Sequence, residues 1–362
     1  MYKISREEYD VEQANRDFLL TLLHTPSPSS SEMEIQKKWI NYVKDFADEI
    51  KTDNAGNAIG VLNPDAPFKV LLAGHCDEIA LVINRIDKEG FLHFDKMGGI
   101  NPKAAVGMKT TVLGSGKTVT GVIGVNAQHH GGLKDDFGLA DLFIDCGWKT
   151  KEEAEKYVQI GDLAVYQTDP EILMERYVSG RGLDNRTGSF IVAEVLRRLS
   201  EQGCQVGVYA ASTVNEETNM GGAYFAAAGI EPAMAIACDV TFATDYPGVN
   251  KNKHGDVRLD KGPVLAKGAP INIKINKLLE KTARKLNINV QYELTPRMTG
   301  TDADKMRLTG RGVPVSLVSL PLRYMHSPVE TSSLKDMDEE IELLVTMIAS
   351  LTGEESLNPL ED

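Results

Sequence analysis

Four apolar runs, each leading to a residue that can hold a metal or carry a proton, constrain this chain more than any other feature in it. KVLLAGH (69–75) ends on His75, with Asp77 two positions beyond. GVYAASTVN (207–215) delivers the adjacent pair Glu216 and Glu217, AMAIAC (233–238) delivers Asp239, and VSLVSLPLRYM (315–325) delivers His326. FKVLLAGH lacks polar alternation, so it reads as a strand buried on both faces, the kind found in sheets covered by helices. Helical patterns separate the strands: RTGSFIVAEVLRRLSEQ (186–202), GGAYFAAAG (221–229), INKLLEKTARKL (275–286) and a last helix from about Asp336. Before them, Val11, Phe18, Leu19, Leu22 and Leu23 share a helical face that must stop before TPSPSSS (25–31). Ser31-x-x-Glu34 reads as the capping box of a second helix carrying Ile35, Trp39, Val43 and Phe46. The order predicts an α/β fold.

Between residues 79 and 177 the texture changes. IALVINRID, GFLHFDKMG, TTVLGSG and KTVTGVIGV are short runs with glycine or charged turns between them, which predicts a small β-barrel. A short helix capped at Thr150-x-x-Glu153 and the run GDLAVYQTD complete the insert. The expected division is therefore a catalytic α/β domain in two pieces, 1–78 and 178–362, interrupted by a β-barrel at 79–177.

A chain of 362 residues has room for two domains, and a net charge of −13 excludes a general nucleic-acid or acidic-membrane binder. No run approaches the ~18 apolar residues of a membrane span, and MYKISREEYD lacks the apolar core of a signal peptide. The four cysteines form no CxxC pair, usage that fits a reducing cytoplasm.

Ligands of open α/β sheets bind outside the carboxyl ends of the strands, where these residues would converge. Asp184, in the glycine-rich loop GRGLDNRTG (180–188), is a further candidate at the start of the next helix. Two imidazoles and three carboxylates suit a dinuclear zinc or cobalt centre: one bridging carboxylate, plus one histidine and one carboxylate for each ion. Such a centre shares a water between its ions. One glutamate of the adjacent pair is then left over. Glu217 is assigned to metal and Glu216 to proton transfer, with Asp77 orienting His75. Singly, each residue has an ordinary reading: a strand-end histidine is usually structural, a glutamate pair a solvated edge, Asp239 a helix cap. What sets them apart is that together they complete a two-metal set.

Three other motifs carry no chemistry. GSGKT (114–118) lacks the leading glycine of a phosphate loop, since position 111 is threonine, and reads as a hairpin turn. NRT (185–187) is a glycosylation acceptor only for a secreted chain. QHHGG (128–132) reads as a solvated loop.

With these motifs in place, the chain resembles the dinuclear-metal aminopeptidases that include the glutamyl and deblocking enzymes, among them the tetrahedral (TET-type) and cellulase-M-like peptidases. The resemblance rests on GHCDE (74–78), GRGLDNRTG (180–188), NEETNMGGA (215–223), DVTFATDYPG (239–248), GTDAD (300–304) and YMHSPVE (324–330), in that order around a β insert. It implies a mixed-sheet zinc-peptidase (phosphorylase/hydrolase-like) catalytic domain with a PDZ-like barrel used for dimerisation. Asp184 would bridge two ions, His75 and Asp239 completing one site and Glu217 and His326 the other. Glu216 would be the base, Asp77 would support His75, and the Asp184–Asn185 peptide would be cis. Cys76, Gly182, Asn185, Thr187, Asn219, Met220 and the pair Asp304–Lys305 depart from the usual pattern without removing a ligand.

The expected reaction is removal of the N-terminal residue from peptides with a free amine. Water held by two zinc or cobalt ions would attack, Glu216 would act as general base, and Thr301 and Asp302 would line the pocket. Expected partners are peptide substrates and further copies of the chain, as dimers or dodecamers, with no nucleic acid and no membrane. The alternatives are a dinuclear deacylase of small N-acyl amino acids and a catalytically idle assembly scaffold. A cellulase reading fails because glycoside hydrolysis needs two carboxylates flanking a sugar and no metal pair.

Overall fold

The computed structural model describes residues 6–361, with side chains from residue 15 onward. Residues 1–5 of the segment read for a signal peptide, and the side chain of Val11, lie outside the described residues. Strands β1 (Glu49–Thr52), β2 (Ala58–Leu62) and β3 (Lys69–His75) start a large sheet. The next six strands are β4 (Ala80–Ile86), β5 (Leu92–Met97), β6 (Lys109–Gly114), β7 (Lys117–Ile123), β8 (Ile144–Asp145) and β9 (Leu163–Tyr166). They close into a barrel of order β4-β5-β8-β7-β6-β9 around Leu81, Ile83, Phe94, Val112, Ile123 and Ala164. The chain then returns to the large sheet through β10 (Glu171–Leu173), β11 (Tyr177–Gly180), β12 (Gly207–Thr213) and β13 (Met234–Phe242). It ends with β14 (Val264–Gly268), β15 (Gln291–Thr295), β16 (Val315–Arg323) and β17 (Glu330–Ser333). Among the described residues the main path runs β1-β2-β12-β3-β13-β16-β17-β11-β10, with β14 joined to β16 and β15 to β14.

The fold is thus mixed α/β with a closed antiparallel barrel. Its centre is β12, β3, β13 and β16, four neighbouring strands that run parallel. Their alternate side chains fill two cores. Val70, Leu72, Val208, Ile236 and Val318 pack under the helices Leu183–Gln202 and Leu334–Ala349, whereas Leu71, Ala73, Ala211, Ala237 and Leu317 pack under Gly221–Ile230. Each fully buried leucine or valine contributes about 1.5–3 kcal/mol, which is why these runs show no polar alternation. Because the four strands are parallel and in step, their carboxyl ends open on one edge.

The strand and helix readings largely hold, and GSGKT is a hairpin in which Gly114 pairs with Lys117. The capping box at Ser31 does not form. Glu32, with helical φ and ψ, precedes a helix Met33–Val43 that has no side-chain cap. Ser31 N instead closes a turn on Pro28 O (2.8 Å), and Glu34 accepts from Lys37 Nζ (2.7 Å) rather than reaching back. No helix among the described residues is long and apolar enough to cross a membrane.

Candidate metal centre

The carboxyl ends of β3, β12, β13 and β16 open onto one cavity of about 580 Å³, lined by His75, Asp184, Glu216, Glu217, Asp239 and His326. Asp184 sits between the two imidazoles. Its Oδ1 lies 3.3 Å from His75 Nε2 and its Oδ2 lies 3.3 Å from His326 Nε2. Beside His75 Nε2 stand Glu216 Oε2 at 3.7 Å and Asp239 Oδ1 at 4.0 Å; beside His326 Nε2 stands Glu217 Oε2 at 3.7 Å. Two sets of donor atoms, His75/Glu216/Asp239 and Asp184/Glu217/His326, each fall within 4.8 Å of one another.

Local structure explains the convergence. Asp184 is presented at the start of the helix Leu183–Gln202, whose first residues have non-helical φ and ψ, and the Asp184–Asn185 peptide is cis. That helix touches β3 through glycines: a Cβ at Gly74 would stand 2.3 Å from Gly188 C, and one at Gly188 would stand 2.3 Å from Cys238 O. Only glycine allows so close an approach of backbones. Asn185 donates to Cys238 O (2.8 Å), holding β13 one residue before Asp239. Asp77 braces the opposite wall. Its Oδ1 stands 3.4 Å from His75 Nδ1 and accepts from Glu216 N (2.9 Å), and its Oδ2 accepts from Ser29 Oγ (2.6 Å) and Glu217 N (3.2 Å). Asp77 therefore orients both the histidine, whose Nδ1 lies 3.1 Å from the Asp77 carbonyl oxygen, and, through its carboxylate, the turn carrying the glutamate pair, which leaves β12 through Asn215 at φ +61.

The electrostatics call for cations. Burial pushes the Glu216 carboxyl up to about 10; His75 opposes this, and Asp239, Asp302 and Asp184 add to it. Burial and neighbouring carboxylates also raise Glu217 and Asp239. Asp184 is the exception: burial raises it, but His326 and His75 outweigh burial and hold it below the usual carboxylate range. So many acids in one dry pocket repel each other, and a divalent cation reverses that balance. Glu217 Oε1 is buried with no hydrogen-bond partner, a lone pair left for an ion. Ligand atoms about 2.1 Å from a tetrahedral ion stand about 3.4 Å apart, close to the two Asp184–histidine separations. The residues fit divalent metal.

Several supporting residues carried no local signal. Glu330, buried at the start of β17 beside β16, accepts from His326 N (2.7 Å) and Asp184 N (3.2 Å). Burial, with Asp184 adding, pushes it up to about 8. Gly99, in the loop after β5, brings the barrel to the site: a Cβ there would stand 2.4 Å from His326 Nδ1. Thr301 lines the cavity, while Asp302 lies buried beneath and accepts from Thr213 Oγ1 (2.6 Å). Of the unusual positions, Asn219, Met220 and Lys305 line the cavity, whereas Cys76 and Asn185 are fully buried. Gln128–His130 is an exposed turn.

This donor set is of the kind found in metal-dependent hydrolases. The sequence model of the M42 glutamyl aminopeptidases matches residues 56–343, and the chain belongs to that family and is an aminopeptidase. The lysyl aminopeptidase of Pyrococcus furiosus is 34% identical over 343 residues, covering 92% of this chain and 97% of the relative. Aminopeptidase APDkam598 of the archaeon Desulfurococcus kamchatkensis superposes with a TM-score of 0.89 at 31% identity, over 94% of this chain and 96% of the other. The TET1 peptidase of Pyrococcus horikoshii, which can assemble into a tetrahedron or a large octahedral shell, superposes at 0.83 with 31% identity, over 93% and 100%.

Proposed function

We propose that the chain removes the N-terminal residue from peptides with a free amine, using two divalent ions, zinc or cobalt by the chemistry of the donors. Asp184 would be shared by the two ions, with His75 and Asp239 holding one and Glu217 and His326 the other. The observation that carries this reading is the position of Asp184, with one carboxylate oxygen 3.3 Å from each imidazole. When bound, the ions supply a Lewis acid for the scissile carbonyl and a water acidic enough to react near neutral pH. Glu216 takes the proton of the attacking water and returns it to the departing amine. Asp77 fixes the directions of His75 and of the Glu216–Glu217 turn, and the buried walls exclude bulk water. The anionic carboxylates around the centre attract the substrate's α-ammonium, which favours unblocked termini.

The test is release of nitroaniline from aminoacyl-p-nitroanilides and their N-acetyl forms by protein stripped of metal and then given zinc or cobalt. Metal-dependent cleavage of the free-amine compounds alone is the expected result. No nitroaniline from either set, with acetate released from N-acetyl amino acids instead, establishes a deacylase, and silence in both assays with metal bound establishes a scaffold.

The division into an α/β domain and a barrel at 79–177 is part of the same reading, with the barrel as the dimerisation element of a dimer or dodecamer. The assembly of the TET1 peptidase supports an oligomer and does not bear on which element joins the copies. A chain in which a short linker replaces 79–177 is expected to run as a monomer in light scattering; an intact oligomer overturns that role.

A further inference from the structure

Beyond the metal donors, the cavity holds two charged side chains, Glu293 and Lys305. Glu293 projects from β15, and two hydroxyls fix it: Thr241 Oγ1 donates to Oε2 (2.5 Å) and Ser319 Oγ to Oε1 (3.0 Å). Both hydroxyls come from the strands beside the centre, since Thr241 lies two residues past Asp239 and Ser319 is the register partner of Asp239. The carboxylate is thereby held to one side of the metal donors. It has no cationic partner among the described residues, and burial raises its pKa despite both hydroxyls. Phe242 and Met298, 67% and 65% exposed, supply apolar surface in the same cavity. A fixed, half-buried carboxylate beside apolar surface matches a side chain with a long aliphatic stem and a cationic head.

We propose that Glu293 is the specificity-determining residue of this site and selects substrates whose N-terminal residue is lysine or arginine. The stem lies along Phe242 and Met298, and the head meets Glu293, pairing a half-buried charge that the other described residues leave without a cation. The rival is Lys305, which would read an acidic residue. Its side chain is half-buried and forms no ion pair among the described residues, and no hydroxyl or carboxylate fixes its direction. An ammonium that no hydroxyl or carboxylate holds gives less discrimination than a carboxylate held at both oxygens.

The inference rests on the aminopeptidase reading, and the experiment separates the two. Metal-loaded protein is assayed on lysyl-, arginyl-, norleucyl- and glutamyl-p-nitroanilide. Norleucine keeps the stem of lysine without its charge. The lysyl kcat/KM is expected to exceed the norleucyl value at least tenfold, and Glu293→Gln is expected to lower that ratio at least tenfold. Should Glu293→Gln not fold, Thr241→Val, which removes one of the two hydroxyls, serves with the same readout and a smaller drop. A wild-type ratio near one, a preference for the glutamyl compound, or a ratio unchanged in the variant overturns the assignment of Glu293. Absence of turnover on every free-amine substrate overturns the aminopeptidase reading and this one with it.

Discussion

Replacing Glu216 by glutamine will leave the metal content unchanged and slow turnover by about 10²–10⁴-fold, the range for loss of a general base. The pair Glu216–Glu217 invites the opposite assignment, because both carboxylates stand 3.7 Å from an imidazole nitrogen. Their surroundings distinguish them. Glu217 has a buried oxygen with no hydrogen-bond partner, and it stands with Asp184 and His326, a set whose other carboxylate is the shared Asp184. Glu216 shares its set with His75 and Asp239, which with the bridging Asp184 already give three donors. It is therefore the one free to move a proton. Glutamine keeps the shape and the hydrogen-bonding capacity of the side chain but cannot accept a proton. The measurement is metal stoichiometry after exhaustive dialysis, beside kcat on the best nitroanilide. Two retained ions with lost turnover fit a base. Loss of one ion makes Glu216 a ligand, and near-wild-type turnover removes it from the chemistry. Glu217→Gln, by contrast, is expected to lose both metal and activity.

The donors were legible in the sequence because strand ends in parallel sheets are a positional signal: an apolar run that stops on His75 or Asp239 says where the side chain goes. Asp184 was legible by its glycine-rich loop. What the sequence did not reveal are pairings between residues far apart in the chain. Glu330 tying the backbones of Asp184 and His326, or Glu293 held by Thr241 and Ser319, are properties of the folded sheet with no local pattern. The proximity of the barrel to His326 through Gly99 was equally hidden, since a glycine after a strand ordinarily marks a turn. The missed cap at Ser31 has the same origin. TPSPSSS is tied to the end of β3, with Ser27 Oγ donating to Cys76 O (2.7 Å) and Ser29 Oγ to Asp77, and Ser31 N closes a turn on Pro28 O, so the helix starts two residues later at Met33.

The largest effect on stability should come from Glu78, which lies next to the site without touching its donors. Its side chain is 2% exposed and is shared by Arg181 and Arg186, themselves 6% and 0% exposed. Arg181 donates to both carboxylate oxygens, and Arg186 Nη2 lies 3.2 Å from Oε2. Ser27 N donates to Oε1 (2.9 Å), and Arg186 spends its other donors on the carbonyls of Gly182, Thr25 and Arg181. The cluster thus joins the Ser27 loop, the end of β3 and the loop that presents Asp184. Glu78→Gln leaves two buried guanidinium groups without a counter-charge, a change that costs about 3–5 kcal/mol when one partner of a buried pair is removed. Replacing Glu78 should therefore lower the unfolding midpoint sharply in denaturant. The sign of its pH dependence follows from the same contacts. Burial alone raises the Glu78 pKa, but Arg181 and Arg186 outweigh burial and hold it below the ordinary glutamate value of 4.5 in the folded protein. A carboxylate depressed by folding stabilises above its unfolded pKa and loses that contribution as pH falls through the folded one. Wild-type stability should fall on acidification below about pH 4.5 by more than that of Glu78→Gln, which has no proton to take up there. Equal midpoints for the two proteins at neutral pH, or parallel losses in acid, would show that the two arginines find other partners and that the cluster is not what fixes the Asp184 loop.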